Sequence, residues 1–112
     1  MEDRFEISLL LDYYIELLTE KQKDIMFMYY NDDFSLAEIA EINNRSRQAI
    51  HDLIKRCDKQ LINYEEKLQL VEKSKIRKSK KNDLIKKLTN EYMLSKELVE
   101  DIDEMLDEII NS

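Results

Sequence analysis

Arg47, Gln48, His51, Lys55, Arg56 and Lys59 fall within one stretch of the chain, and their types suit the chemistry of nucleic-acid recognition. Arginine pairs with guanine and glutamine with adenine in two-hydrogen-bond fashion, while lysine meets phosphate as a point charge. On a helix, Arg47, Gln48, His51, Asp52, Lys55 and Lys59 share one face at three- and four-residue spacing. Ile50, Leu53, Ile54 and Cys57 share the other. The first three, just after Ser46, are expected to face base edges, and Lys55, Arg56 and Lys59 to supply phosphate contacts.

Other chemistry lacks its residues. His51 is the single histidine, and with Cys57 six positions on it falls short of the ligand count that zinc needs, so no metal site is expected. With no glycine there is no phosphate-cradling loop of the P-loop or dinucleotide type. The carboxylates are spread over helix surfaces rather than paired. No catalytic residue, cofactor or enzymatic activity is expected.

Two short elements must position the six side chains. Ser35 and Glu38 form a capping box that starts a helix over Leu36 to Ile42, and Phe34 and Ile39 have the spacing of a hydrophobic staple. Asn43 and Asn44 end it, asparagine being the non-glycine residue that best tolerates a left-handed turn. Ser46 caps the helix that follows. Two helices joined by a turn of about three to four residues over 35–57 read as a helix-turn-helix, whose second helix enters a DNA major groove.

These residues resemble a family. Leu-Thr-Glu-Lys-Gln at 18 to 22, Tyr29-Tyr30, Ser-Leu-Ala-Glu-Ile-Ala at 35 to 40, Ser-Arg-Gln-Ala-Ile at 46 to 50, Ile-Lys-Arg at 54 to 56 and Tyr64-Glu65-x-Lys67-Leu68 are similar to the YlxM family of small bacterial proteins. More distantly, 35–57 is similar to region four of bacterial sigma factors, which reads promoters. The YlxM resemblance implies an all-helical, dimeric protein. It also implies a regulatory role linked to the signal recognition particle pathway, because the family's genes lie beside those of its GTPases. Asn44 stands where the usual motif has a turn glycine, and Asn43 and Arg45 stand where apolar residues tuck beneath it.

Composition points the same way. Among 112 residues there is neither Gly nor Pro, which leaves little means of making tight β-turns, so the fold class is expected to be all-α. One cysteine makes no internal disulfide and fits the cytoplasm. The longest apolar run, Ile7 to Leu18, is interrupted by Asp12 and Glu16 and has no basic leader, so neither membrane insertion nor a signal peptide is expected. The net charge of −7 conceals segregation. Residues 1–44 carry 3 basic and 11 acidic side chains, 45–88 carry 14 and 6, and 89–112 carry 1 and 8. The basic middle begins at the turn, as expected of a nucleic-acid binder.

Along the chain, Asp3 to Leu18 reads as a helix polar only at Ser8, Asp12 and Glu16, more apolar than one buried face requires. Thr19 and Gln22 form a second capping box for a helix to about Tyr30, with Lys21, Lys23 and Asp24 outward. Ile50, Ile54, Cys57, Leu61, Tyr64, Leu68 and Val71 form a heptad seam that predicts one long extended helix docked in coiled-coil fashion on another, either the first helix or a symmetry mate. Both features predict a homodimer. Residues 72–82 read as an exposed basic connector or solvated helical stretch, with a short helix restarting at Asn82 or Asp83 and running to about Met93. Ser95 caps an acidic C-terminal helix, 95–110, that could lie against the basic segment or on a basic partner.

The expectation is a single helical domain, 1–112, acting as a DNA-binding helix-turn-helix regulator. The alternative is an adaptor directed at signal recognition particle RNA or its GTPases without sequence-specific DNA binding.

Overall fold

The computed structural model describes residues 3–112. They form six α-helices: α1 (Arg4–Tyr14), α2 (Glu20–Tyr30), α3 (Leu36–Ile42), α4 (Arg47–Leu68), α5 (Leu70–Asn90) and α6 (Lys96–Asn111). There is no strand among the described residues, and the fold is all-α. The chain divides into two compact units, residues 1–71 and 72–112.

In the first unit the helix boundaries follow local capping. Asp3 accepts the amide of Phe5 and starts α1. The boxes at Thr19 and Ser35 are both reciprocal: each hydroxyl accepts the amide three residues on, and the Gln22 or Glu38 side chain accepts the cap residue's own amide. Those hydrogen bonds to the ionised form hold the Glu38 carboxyl below its usual range. Ser46 accepts the amide of Ala49 and starts α4.

α1, α2 and α3 all pack against α4. The core joins Ile7, Leu11, Tyr14 and Leu18 to Ile25, Met26, Ile39 and Ala40, and closes on Ile50, Ile54, Cys57, Leu61 and Val71. The α4 seam is thus filled by helices of its own chain, which removes one of the two sequence arguments for a dimer. The other survives, because Phe5, Tyr13 and Leu17 stay exposed while Ile7, Leu11 and Tyr14 are buried. Lys23, expected to point outward, folds back onto Glu16 at 3.1 Å and Glu20 at 3.3 Å. Residues Ile15–Leu17 tighten into a 3-10 turn instead of continuing α1.

The single long helix expected from the seam is broken. Gln69 adopts φ 55° and ψ 34°, ending α4, and α5 starts at once. The cause lies in α1 and in α4 itself. The buried Tyr14 hydroxyl donates to Glu65 Oε1 at 2.6 Å and accepts the Leu70 amide at 3.0 Å, and the same carboxylate oxygen accepts the Val71 amide at 3.1 Å. Two amides that open α5 are therefore satisfied by side chains, offsetting the roughly 1–2 kcal/mol cost of a left-handed non-glycine residue. Leu68 is left exposed while Val71 is buried.

In the second unit α5 runs unbroken through Asn82 and Asp83, so the expected restart does not occur and the basic segment is the body of a helix. No residue there disrupts helical geometry, and Asp83 rides on its exposed surface. Ser95 caps α6 by accepting the Leu98 amide. Lys81 on α5 meets Asp107 at 2.7 Å and Asp103 at 3.2 Å on α6, and both carboxylates raise its pKa, Asp107 the more. No residue from 75 to 112 is buried.

Candidate nucleic-acid interface

The turn between α3 and α4 is built from asparagines. Asn44 takes φ 53°, and its amide donates to Glu41 O at 3.2 Å while that of Arg45 donates to Ala40 O at 2.9 Å. This pair of bonds is a Schellman closure with asparagine in the place usually held by glycine. Asn43 is not left-handed (φ −93°); its side-chain amide donates to Ile39 O at 2.8 Å and to Met28 Sδ at 3.9 Å. A polar residue can therefore sit under this turn, because it is hydrogen-bonded there.

α4 is fixed by polar as well as apolar contacts. Tyr30 donates its hydroxyl to the buried Asp58 at 2.8 Å, and burial, together with that carboxylate, raises the Tyr30 pKa. Arg4 in turn stacks over Tyr29 and Tyr30 at 4.6 and 5.0 Å, bonds the Tyr29 carbonyl and pairs with Asp33 at 2.9 Å. These partners tie α1, α2 and the 31–35 connector to the middle of α4, at Asp58. The opposite face of α4 is then held outward.

All six expected site residues are exposed, and the fold separates them. Arg47, Gln48 and His51 gather with Leu36 of α3 around a depression of about 420 Å³ at the N-terminal end of α4. Arg56 and Lys59 line a second depression of about 400 Å³ with Leu53, Gln60 and Gln22 of α2. Gln22 donates to Gln60 at 3.3 Å there. Lys55 stands on the exposed surface of α4 outside both linings.

Two residues enter that the six omit. Leu36 gives the first depression an apolar element, as contact with a thymine methyl would require. Asp52 accepts from Gln48 Nε2 at 2.9 Å and lies 3.5 Å from His51 Nδ1, so a carboxylate occupies the middle of the exposed face. The i to i+4 spacing of Gln48 and Asp52 made that bond readable in the sequence; Leu36 belongs to another element and carried no such signal.

The arrangement of α3, turn and α4 agrees with the comparisons. Residues 1–105 match the family described as "Putative helix-turn-helix protein, YlxM / p13 like" (UPF0122). The chain belongs to this family. A UPF0122 protein of Clostridium perfringens strain SM101 is 57% identical over 112 residues, covering the whole of both chains. One from Clostridium acetobutylicum is 54% identical over 111 residues, covering 97% of this chain and 92% of its own. A third, from Clostridium kluyveri, is 46% identical over 112 residues, covering 100% and 99%. The YlxM/p13-like family is described by a binding motif and not by a reaction. Among the described residues no helix is long and apolar enough to cross a membrane, and no group of three or more His, Cys, Asp and Glu side chains could hold a metal.

Proposed function

We propose that this protein is a cytoplasmic, homodimeric regulator that binds double-stranded DNA through α4. The observation that carries the reading is the convergence of Arg47, Gln48 and His51 beside Leu36 at the exposed start of a capped helix, behind a closed turn. In this reading those three side chains face base edges. Lys55, Arg56 and Lys59, a turn or two further along, take the phosphates, and the depression shared with Gln22 brings α2 alongside the backbone. Gln48 must exchange Asp52 for a base to do so, which lowers its contribution relative to Arg47.

The test is a gel-shift series against DNA fragments at two salt concentrations. Arg47→Ala should cost roughly 1–3 kcal/mol and relax sequence preference, whereas Lys55→Ala should weaken all sequences alike and lower the salt slope by about one unit. Wild-type protein with no salt-dependent DNA binding overturns the reading.

A second reading is favoured by Asp52, whose carboxylate at the centre of the face repels phosphate and suits a protein surface better. In it, the same surface serves as an adaptor for the GTPases of the signal recognition particle pathway, with its RNA as the other candidate. Running that RNA in parallel in the shift assay separates the two, and Asp52→Asn should strengthen binding to either polyanion.

A further inference from the structure

The hairpin of α5 and α6 is a folded unit without a core of its own. Residues 72–112 number about 40, a size at which chains generally require a disulfide, a metal or a partner to hold together. Leu98, Ile102, Met105 and Ile109 follow one another on α6 at spacings of four, three and four, the pattern of a coiled-coil seam. Met105 and Ile109 are 62% and 68% exposed, and Leu98 is exposed as well. On α5, Ile76 and Leu84 are also open to solvent. Leu84 lines a cavity of about 240 Å³ with Arg77, Lys80, Leu106 and Ile110, which shows that the α5 cations and the α6 apolar residues border one groove.

The net charges of the two helices are opposite and equal. α5 carries eight basic and two acidic side chains, net +6, and α6 carries one basic and seven acidic, net −6. Among the described residues, the ion pairs that cross the hairpin use Lys81, with Asp103 and Asp107. Lys73, Lys80 and Lys87 on α5 and Glu97, Asp101, Glu104 and Glu108 on α6 remain directed at solvent.

A hairpin with one basic and one acidic helix is self-complementary under a two-fold axis, because α6 of one copy meets α5 of the other twice over. From the charge balance and the open seam we propose that the occupant is a second copy. Two α5–α6 hairpins pair into an antiparallel four-helix bundle, burying Leu98, Met105, Ile109 and Leu84 of each copy and neutralising the free charges across the interface. This deepens the homodimer part of the function proposed above by locating its interface. It does not depend on what α4 binds.

Sedimentation equilibrium on the full chain tests it. Wild type at micromolar concentration should give twice the 13.6 kDa chain mass. One variant reverses α5 (Lys73→Glu, Lys80→Glu, Lys87→Glu) and a second reverses α6 (Glu97→Lys, Asp101→Lys, Glu104→Lys, Glu108→Lys). Each alone should dissociate, with the dimer constant weakened at least about 100-fold, because like walls then face each other. Mixed one to one they should recover a heterodimer within about tenfold of wild type, because each reversed wall again meets its opposite. The mixture also guards against misfolding, since an unfolded variant would not be rescued by its counterpart. A monomeric wild type overturns the proposal. So does a dimer that survives in both variants, which would put the interface elsewhere, or a mixture that fails to associate. Salt-dependent DNA binding by the monomeric variants would leave the α4 reading intact whichever way the interface result falls.

Discussion

The α2–α3 and α5–α6 connections are the same piece of backbone used twice. Asn31 and Asp32 donate to Phe27 O and Phe34 donates to Met28 O; sixty residues later Glu91 and Tyr92 donate to Lys87 O and Leu94 donates to Leu88 O. Asp33 and Met93 have φ values of 56° and 52°, and Ser35 and Ser95 cap the helices that follow. Around this shared connector the surroundings are inverted. Positions that are Asp24, Asp32, Asp33 and Glu38 in the first hairpin are Leu84, Tyr92, Met93 and Leu98 in the second, and all eight are exposed. Conversely, the buried Met26 and Ala40 correspond to exposed Lys86 and Glu100. Local capping therefore sets the turn, while the distribution of apolar residues decides which side of the hairpin is meant to be covered. In the first unit α4 covers the inner side. In the second, Ile85, Leu88 and Val99 keep apolar side chains at the inner positions, and Leu84, Tyr92, Met93 and Leu98 add others outside.

The strongest way to break the comparison is to place a charge in each unit. Leu61 is fully buried in the α4 core, so Leu61→Glu should cost on the order of 4 kcal/mol or more, enough to unfold a marginally stable unit. Met105→Glu should leave the helicity of the first unit and its urea midpoint unchanged, because Met105 is exposed and lies in the second. Urea titrations followed by circular dichroism measure both. An equal loss in the two variants would mean that the two units unfold together.

Next in size is the junction that ends the first unit. Tyr14→Phe removes both the donor to Glu65 and the acceptor for Leu70, leaving a part-buried carboxylate and an amide without those bonds. A loss of roughly 1–3 kcal/mol is expected, with the exchange protection of the Leu70 amide falling by more than that of Ile54 in the α4 core. Unchanged protection at Leu70 would show that Gln69 turns for a reason other than this hydroxyl.

The core of the first unit should also be the part that alkali weakens. Burial raises the Cys57 thiol from 9.0 to about 11, with Asp58 adding to it. Burial likewise raises Tyr14, with Glu65 contributing, and Tyr30, with Asp58 contributing. Each group has a folded pKa above its unfolded one, so the folded state keeps its proton longer. Stability is full below pH 9 and falls as pH rises toward 11. For Cys57 the loss is about 1 kcal/mol by pH 10. Cys57→Ala should be less stable at pH 7 but should flatten the dependence between pH 9 and 10. The α5–α6 unit holds none of these three groups; its raised base, Lys81, loses its contribution only as pH rises past the ordinary lysine value of 10.5, so this unit should be flat between pH 9 and 10.

What could be read without coordinates follows the range of the interaction. The caps at Thr19, Ser35, Ser46 and Ser95 act over three residues, and the sequence pattern places all four where the structure has them. The exposed Arg47, Gln48 and His51 follow from the Ser46 cap and the apolar stripe opposite. The break at Gln69 was not legible, because its cause is a tyrosine fifty-five positions earlier and its residue is neither glycine nor asparagine. The grouping of Arg56 and Lys59 with Gln22 was hidden for a similar reason, since it exists only once α2 lies beside α4.

The smallest expected effect lies at the left-handed residue of each of the two matching connectors, where the backbone is alike and the side chains are not. Met93 is 82% exposed at φ 52°, so its side chain has little packing to lose, and its Cβ makes the left-handed turn costly. Met93→Gly should relieve part of that cost and stabilise the second hairpin by about 0.5–1 kcal/mol. Asp33 shares the conformation but gains locally, because aspartate tolerates it better and the carboxylate pairs with Arg4 at 2.9 Å. Asp33→Gly should therefore be neutral or slightly destabilising, the relief at the backbone being offset by the lost ion pair. Native-state hydrogen exchange at the Leu94 and Phe34 amides, which close the two connectors, measures the pair of effects directly. Opposite signs are expected. A gain of the same size at both positions would mean that Arg4 contributes nothing to the first turn, and that its contacts with Tyr29 and Tyr30 alone hold the start of α1 in place.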